Sequence, residues 1–173
     1  MDIKIEQIDC IEGLKKIQDS SVDLIISDPP YILGKNYENQ SDFGDRKEYI
    51  EFTNNWILES KRVLKDSGTI YVFMGVRLIS DIFNILENNK FIFNSWITWH
   101  YTQGLGKKKG FSPRHDDILM FTKTKRFKFN LDAIRIPQKY YRSRNNMKGS
   151  NPGDVWKFSH VHYSNPNRQD HPT

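Results

Sequence analysis

The residues best suited to do chemistry are Ser27-Asp28-Pro29-Pro30-Tyr31, which follow the apolar run Val22-Asp23-Leu24-Ile25-Ile26. That run reads as a strand covered on both faces, and the paired prolines end it because they cannot continue a ladder. A loop at the carboxyl end of a strand in an open α/β sheet stands where ligands bind. Asp28 brings a carboxylate and Pro29 a backbone carbonyl, two hydrogen-bond acceptors on one short turn. An exocyclic amine of adenine or cytosine needs such a pair, because its lone pair is delocalised into the ring and the nitrogen is a weak nucleophile. Acceptors on its two N–H groups draw the nitrogen towards tetrahedral geometry and point the lone pair at a methyl donor. The fixed dihedrals of Pro29 and Pro30 limit reorganisation during the reaction. Tyr31 offers a ring on which an extruded base can stack. Asp28, Pro29, Pro30 and Tyr31 are therefore the expected catalytic residues, with no metal and no covalent intermediate required.

Two basic segments are the next candidates. Lys107, Lys108, Lys109 and Arg114 lie among Gly and Ser in a predicted loop and are suited to phosphates. Lys139-Tyr140-Tyr141-Arg142-Ser143-Arg144-Asn145-Asn146 mixes cations, rings and amides, the side chains that read and stack on bases. Lys139, Tyr141, Arg142 and Arg144 are the expected DNA contacts there. Charge is distributed accordingly. Residues 1–100 hold 11 Lys+Arg against 16 Asp+Glu, and residues 101–173 hold 15 against 5, so the net charge goes from −5 to +10. Such asymmetry points the second half at a polyanion.

These residues need a scaffold. Ile3 to Ile8 alternates like a half-buried strand, and Ile11, Leu14 and Ile17 recur at helical spacing. Lys47 to Leu64 predicts a helix ended by Asp66-Ser67-Gly68, and Thr69 to Met74 a buried strand. Leu78 to Leu86 predicts a helix; Phe91 to Tyr101 and Asp117 to Phe121 predict strands. The alternation implies an open α/β sheet with helices on both faces. After about Thr124 the periodicity dissolves, which divides the chain into a core over 1–123 and a basic recognition region over 124–173.

Composition excludes other classes. A chain of 173 residues, 37% hydrophobic, fits one domain with a real core. No apolar run approaches the roughly 18 residues that span a bilayer. Met1-Asp2-Ile3-Lys4 lacks the layout of a signal peptide, so a cytoplasmic location with no membrane partner is expected. The one cysteine, Cys10, forms no internal disulfide and reads as a small buried residue. His160 and His162 have strand spacing but no further ligand at usable spacing, so no metal is expected. Trp96 and Trp99 read as packing residues. Ser41-Asp42 reads as part of a segment that closes over a flipped base.

With these motifs the sequence resembles the DNA amino-methyltransferases of restriction–modification systems, in the class whose Asp-Pro-Pro-Tyr motif lies near the N-terminus. The resemblance rests on Ile8 to Leu14, Ser21 to Tyr31, Gly104 to Phe111, His115 to Phe121, Asp154-Val155-Trp156 and His171-Pro172-Thr173. It implies a three-layer α/β/α Rossmann-like sheet and S-adenosylmethionine as cofactor. By the same resemblance, Asp9 and Cys10 approach the cofactor's adenine, Asp28 borders it, and His171, Pro172 and Thr173 begin the segment covering its methionine moiety. Double-stranded DNA is the implied partner, with a cognate restriction endonuclease acting on the same site and a homodimer or complementing subunit as further expectations.

The chain departs from the family pattern after Thr173. No glycine-rich cofactor loop follows any strand in the 173 residues, so the sheet is expected to be incomplete, lacking strands between Ile3–Ile8 and Val22–Ser27. Asp rather than Ser at position 28 is the family's usual choice for adenine N6. Cytosine-N4 methylation and a non-catalytic DNA-binding fragment or split subunit are the alternatives.

Overall fold

A computed structural model describes residues 2–30, 45–102 and 106–158. Its elements run α1 (Cys10–Lys15), β1 (Val22–Ser27), α2 (Arg46–Val63), β2 (Leu64–Met74), α3 (Ile79–Asn88), β3 (Ile92–His100), β4 (His115–Thr122), α4 (Leu131–Ile134) and β5 (Val155–Lys157). The strands form one sheet in the order β1-β2-β4-β3-β5. β1 is parallel to β2 and β5 to β3, whereas β4 runs antiparallel to both of its neighbours.

The local sequence accounts for the helices. Asp45 caps α2 by accepting the Glu48 N–H at 2.8 Å. Tyr49, Thr53, Trp56, Ile57, Ser60 and Val63 make its buried stripe. In α3 the stripe is Ile79, Ile82, Ile85 and Leu86. Both pack on the sheet face formed by Ile70, Val72 and Met74 of β2 with Leu119 and Phe121 of β4. Alternate residues, Tyr71, Phe73, Ile118 and Met120, point to the other face, where Ile97, Trp99 and Trp156 join them. Among the described residues, that second cluster takes only Phe127 from outside the sheet.

Three local expectations are corrected. Ile3 to Ile8 forms no strand, and Ile3 and Ile5 are exposed. An alternating segment becomes a strand only when a neighbour pairs its N–H and C=O groups, and among the described residues none lies beside it. The first helix stops at Lys15, leaving Ile17 outside. Asp66-Ser67-Gly68 does not end α2, which finishes at Val63. Those residues lie within β2, where Leu64 to Thr69 stands opposite only Val22 to Leu24, a bulge in the ladder.

β1 is the terminal strand, and it is not covered on both faces as its apolar run suggests. Leu24 is 49% and Ile26 65% exposed. Ile26 pairs with Tyr71, so both apolar side chains extend the thinly covered face. This is an incomplete Rossmann-like sheet.

Candidate active site

Strand direction gathers the candidate residues on one edge. Ser27 at the end of β1 pairs with Val72, and Met74 at the end of β2 pairs with Asp117 at the start of β4. His100 at the end of β3 pairs with His115. The carboxyl ends of β1, β2 and β3 therefore coincide with the amino end of β4. Asp28, Pro29 and Pro30 leave β1 there, with Pro29 buried and Asp28 exposed. The turn thus anchors one residue in the protein beside a residue open to solvent.

The connection from β3 to β4 is a hairpin arm at this same edge. Its base is held by the Tyr101 N–H donating to the Arg114 carbonyl at 3.0 Å. The Lys107 N–H donates to Ser112 Oγ at 2.8 Å, and Lys107, Lys108 and Lys109 are all exposed. Burial, with the Asp116 carboxylate adding to it, pushes the Tyr101 hydroxyl above its usual value, partly opposed by Arg114. The fold thus brings the lysine cluster and Arg114 to the edge that carries Asp28, although more than 75 residues separate them in sequence.

Asp117 is a residue that sequence reasoning missed. It is 5% exposed at the start of β4 and accepts the Trp96 indole N–H at 2.9 Å. Thr98 Oγ1 lies 3.5 Å from the same oxygen, and His115 Nε2 lies 3.7 Å from the other. The available signal was a carboxylate opening an otherwise apolar strand. Trp96 itself stacks on Phe83 with ring centroids 5.9 Å apart, the packing role expected of it.

Asp9 is engaged as the cap of α1, its Oδ1 accepting the Ile11 and Glu12 N–H groups at 3.0 Å each. Cys10 is exposed rather than buried. Neighbouring atoms still desolvate its sulfur and, with the charge of Asp9, push the thiol up. Lys139, Tyr141, Arg142 and Arg144 lie on a loop between α4 and β5. That loop joins the sheet at the end opposite β1, four strand spacings or roughly 19 Å away. Tyr31, Ser41-Asp42, Gly104-Leu105, His160, His162, His171, Pro172 and Thr173 lie outside the described residues. Among the described residues no three His, Cys, Asp or Glu side chains converge as metal ligands, and no helix is long and apolar enough to cross a membrane.

The family model described as DNA methylase matches residues 22–173. The chain belongs to the DNA methylase family. This DNA methylase chain is 58% identical over 175 residues to the Type II methyltransferase M.HpaI of Haemophilus parainfluenzae, an alignment covering 100% of the chain and 56% of that relative. It is 33% identical over 180 residues to the DNA adenine methyltransferase YhdJ of Escherichia coli (strain K12), covering 95% of the chain and 60% of the relative. Among solved structures, the PvuII DNA methyltransferase (cytosine-N4-specific) matches with a TM-score of 0.68 at 17% identity, over 92% of this chain and 57% of that one. The DNA methylase chain therefore spans between half and two thirds of the length of these proteins.

Proposed function

We propose that the whole protein transfers a methyl group from S-adenosylmethionine to the N6 nitrogen of adenine within a specific sequence of duplex DNA. The observation that carries this reading is the Asp28-Pro29-Pro30 turn at the carboxyl end of β1, with Pro29 buried, on the same sheet edge as the exposed Lys107–Lys109 arm. A carboxylate beside a backbone carbonyl is the acceptor pair an exocyclic amine needs, and a cationic arm is suited to the phosphates flanking an extruded nucleotide.

In this reading the Asp28 carboxylate accepts one amine N–H and the Pro29 carbonyl the other, Pro30 stiffens the turn, and Tyr31 stacks on the base. When bound, S-adenosylmethionine supplies an electrophilic methyl group on a sulfonium centre, which suits an acceptor pair that needs no nucleophile of its own. Asp9, Cys10 and Asp28, with His171, Pro172 and Thr173, would hold it. The nitrogen lone pair would bond to the methyl carbon as the methyl–sulfur bond breaks and the neutral thioether, S-adenosylhomocysteine, leaves; the proton the nitrogen then sheds would pass to Asp28, the group on this turn able to take it up.

Adenine is favoured by Asp at position 28 and by the similarity to an adenine methyltransferase. The cytosine-N4 reading has one observation behind it, the fold likeness to a cytosine-N4-specific enzyme, and it uses the same acceptors. Lys107, Lys108, Lys109 and Arg114, with Lys139, Tyr141, Arg142 and Arg144 of a recognition region over 124–173, are the DNA contacts in this reading. It also implies a cytoplasmic location, a cognate endonuclease, and a homodimer or a complementing subunit.

The test is transfer from isotopically labelled S-adenosylmethionine to mixed-sequence duplex DNA, followed by digestion to nucleosides and mass spectrometry. N6-methyladenine is the expected product. N4-methylcytosine would overturn the base assignment, and salt-dependent DNA binding without transfer would make residues 1–173 a binding module.

A further inference from the structure

The loop between Ile136 and Ser150 is a closed, self-braced unit. Two backbone hydrogen bonds join Ile136 to Ser150 at its neck, at 3.0 and 2.9 Å. Gly149 sits at the neck with φ +109°, and a Cβ there would run into the Ile136 carbonyl oxygen. Arg135 grips the neck from outside, donating from Nη1 to the Gly149 carbonyl at 3.0 Å and from Nε to Asp132 at 2.7 Å.

Inside the loop the amides hold its shape. Gln138 Nε2 donates to the Asn146 carbonyl at 3.0 Å, Asn145 Nδ2 donates to Gln138 Oε1, and Asn146 Oδ1 accepts the Lys148 N–H at 2.9 Å. Gln and Asn are the side chains that pair with adenine edges, yet here their groups are committed to the loop itself. Arg142 and Arg144 differ. They are exposed at positions one and three of a turn closed by the Asn145 N–H on the Arg142 carbonyl, at 2.8 Å. Among the described residues neither guanidinium has a hydrogen-bond or ion-pair partner, and residues 137–149 contain no carboxylate. Both line an open concavity of about 360 Å³, beside Lys139, whose Nζ lies 5.4 Å from the Tyr140 ring centroid.

A rigid turn presenting two uncommitted guanidinium forks matches the guanine edge in the major groove, where O6 and N7 accept a bidentate arginine. We propose that Arg142 and Arg144 are the specificity-determining residues of this loop, each reading a guanine of the target sequence, while Gln138 and Asn145 hold the loop and read no base. This rests on the DNA reading above.

The experiment is selection of a random duplex library by residues 1–173, by R142K and by R144K, with sequencing of the bound DNA and binding titrations at several salt concentrations. Lysine keeps the charge and loses the fork. The expected result is a wild-type motif containing guanine, with each variant losing that preference at one position. Replacing that guanine by 7-deazaguanine, which lacks N7, should weaken wild-type binding on the order of tenfold and leave the matching variant unchanged. A motif without guanine, no motif at all, or an unchanged motif in both variants would overturn the inference while leaving DNA binding intact. If R142A and R144A weaken all sequences alike and each lowers the salt slope by about one, the arginines contact phosphates and the inference fails. Absence of any DNA binding at low salt would sink the DNA reading itself, and this inference with it.

Discussion

The buried carboxylate of Asp117 accepts the Trp96 indole N–H at 2.9 Å across the β3–β4 ladder. It does so at the sheet edge that carries both the Asp28 turn and the lysine arm, so it braces the hairpin that carries the arm. Asp117→Ala leaves the indole N–H without its acceptor and should lower stability by about 2 kcal/mol. Asp117→Asn keeps an oxygen in place and should lose about half as much. Urea unfolding monitored by tryptophan fluorescence measures both; equal losses would mean that charge, not the hydrogen bond, is what matters.

Arg62 ties α1 to α2. It donates to the Leu14 carbonyl at 2.8 Å and the Ile17 carbonyl at 2.9 Å, while also engaging Glu59 and Asp19. A six-residue helix is not stable alone, so the bonds to Leu14 in its last turn and to Ile17 just beyond it matter. Arg62→Ala should cost about 2 kcal/mol and expose α1 to proteolysis at its C-terminal end. Arg62→Lys, lacking the fork, should recover less than half, as thermal unfolding and limited proteolysis would reveal.

Gly149→Ala should open the loop between Ile136 and Ser150 without unfolding the sheet. The positive φ and the Ile136 carbonyl both oppose a side chain there, at about 1–3 kcal/mol. Amide exchange at Ile136 and Ser150 should accelerate by tenfold or more, while exchange in β2 and β4 stays unchanged. Loss of protection in β2 would mean that the loop is not a separate unit.

Burial pushes the Tyr49 hydroxyl up to about 12, partly offset by the Thr53 hydroxyl beside it. Tyrosine in the unfolded chain ionises near 10. A raised folded value means stability that is complete below about pH 10 and lost as pH climbs from there to about 12. Absorbance at 295 nm should therefore show a component that titrates near pH 12, and Tyr49→Phe should remove it.

Asp28→Ala removes one of the two proposed acceptors. In any form of the protein competent for transfer, the methylation rate should fall by about 10²–10³, the scale for losing one preorganised group. DNA affinity, measured separately by fluorescence anisotropy, should change by less than about threefold, since Asp28 contributes no cationic contact. A parallel fall in affinity and rate would give Asp28 a structural role instead.

Much of the fold was legible because two periodicities carry it. The alternation of Ile70, Val72 and Met74 against Tyr71 and Phe73, and the α3 stripe from Ile79 to Leu86, are visible in the residues themselves. The Asp28 turn was legible because two prolines after a strand have few other uses. What failed was what depends on neighbours. Ile3 to Ile8 has the pattern of a strand and, among the described residues, no partner beside it, and the bulge at Lys65 to Gly68 depends on how Val22 and Leu24 meet β2. Asp117 was passed over because a burial site is a property of the assembled sheet. In the loop between Ile136 and Ser150, composition could not separate amides that brace the loop from arginines left exposed, since only the hydrogen bonds distinguish them.

Because β4 runs against both of its neighbours, the lysine arm is the tip of a hairpin rather than a crossover between parallel strands. Eight residue pairs between β3 and β4 fix the two legs, so the tip is free to lengthen, shorten or exchange its cations without disturbing strand order. Such a tip is an interchangeable part. Its three lysines can change while the Asp28 turn at the end of β1 stays untouched.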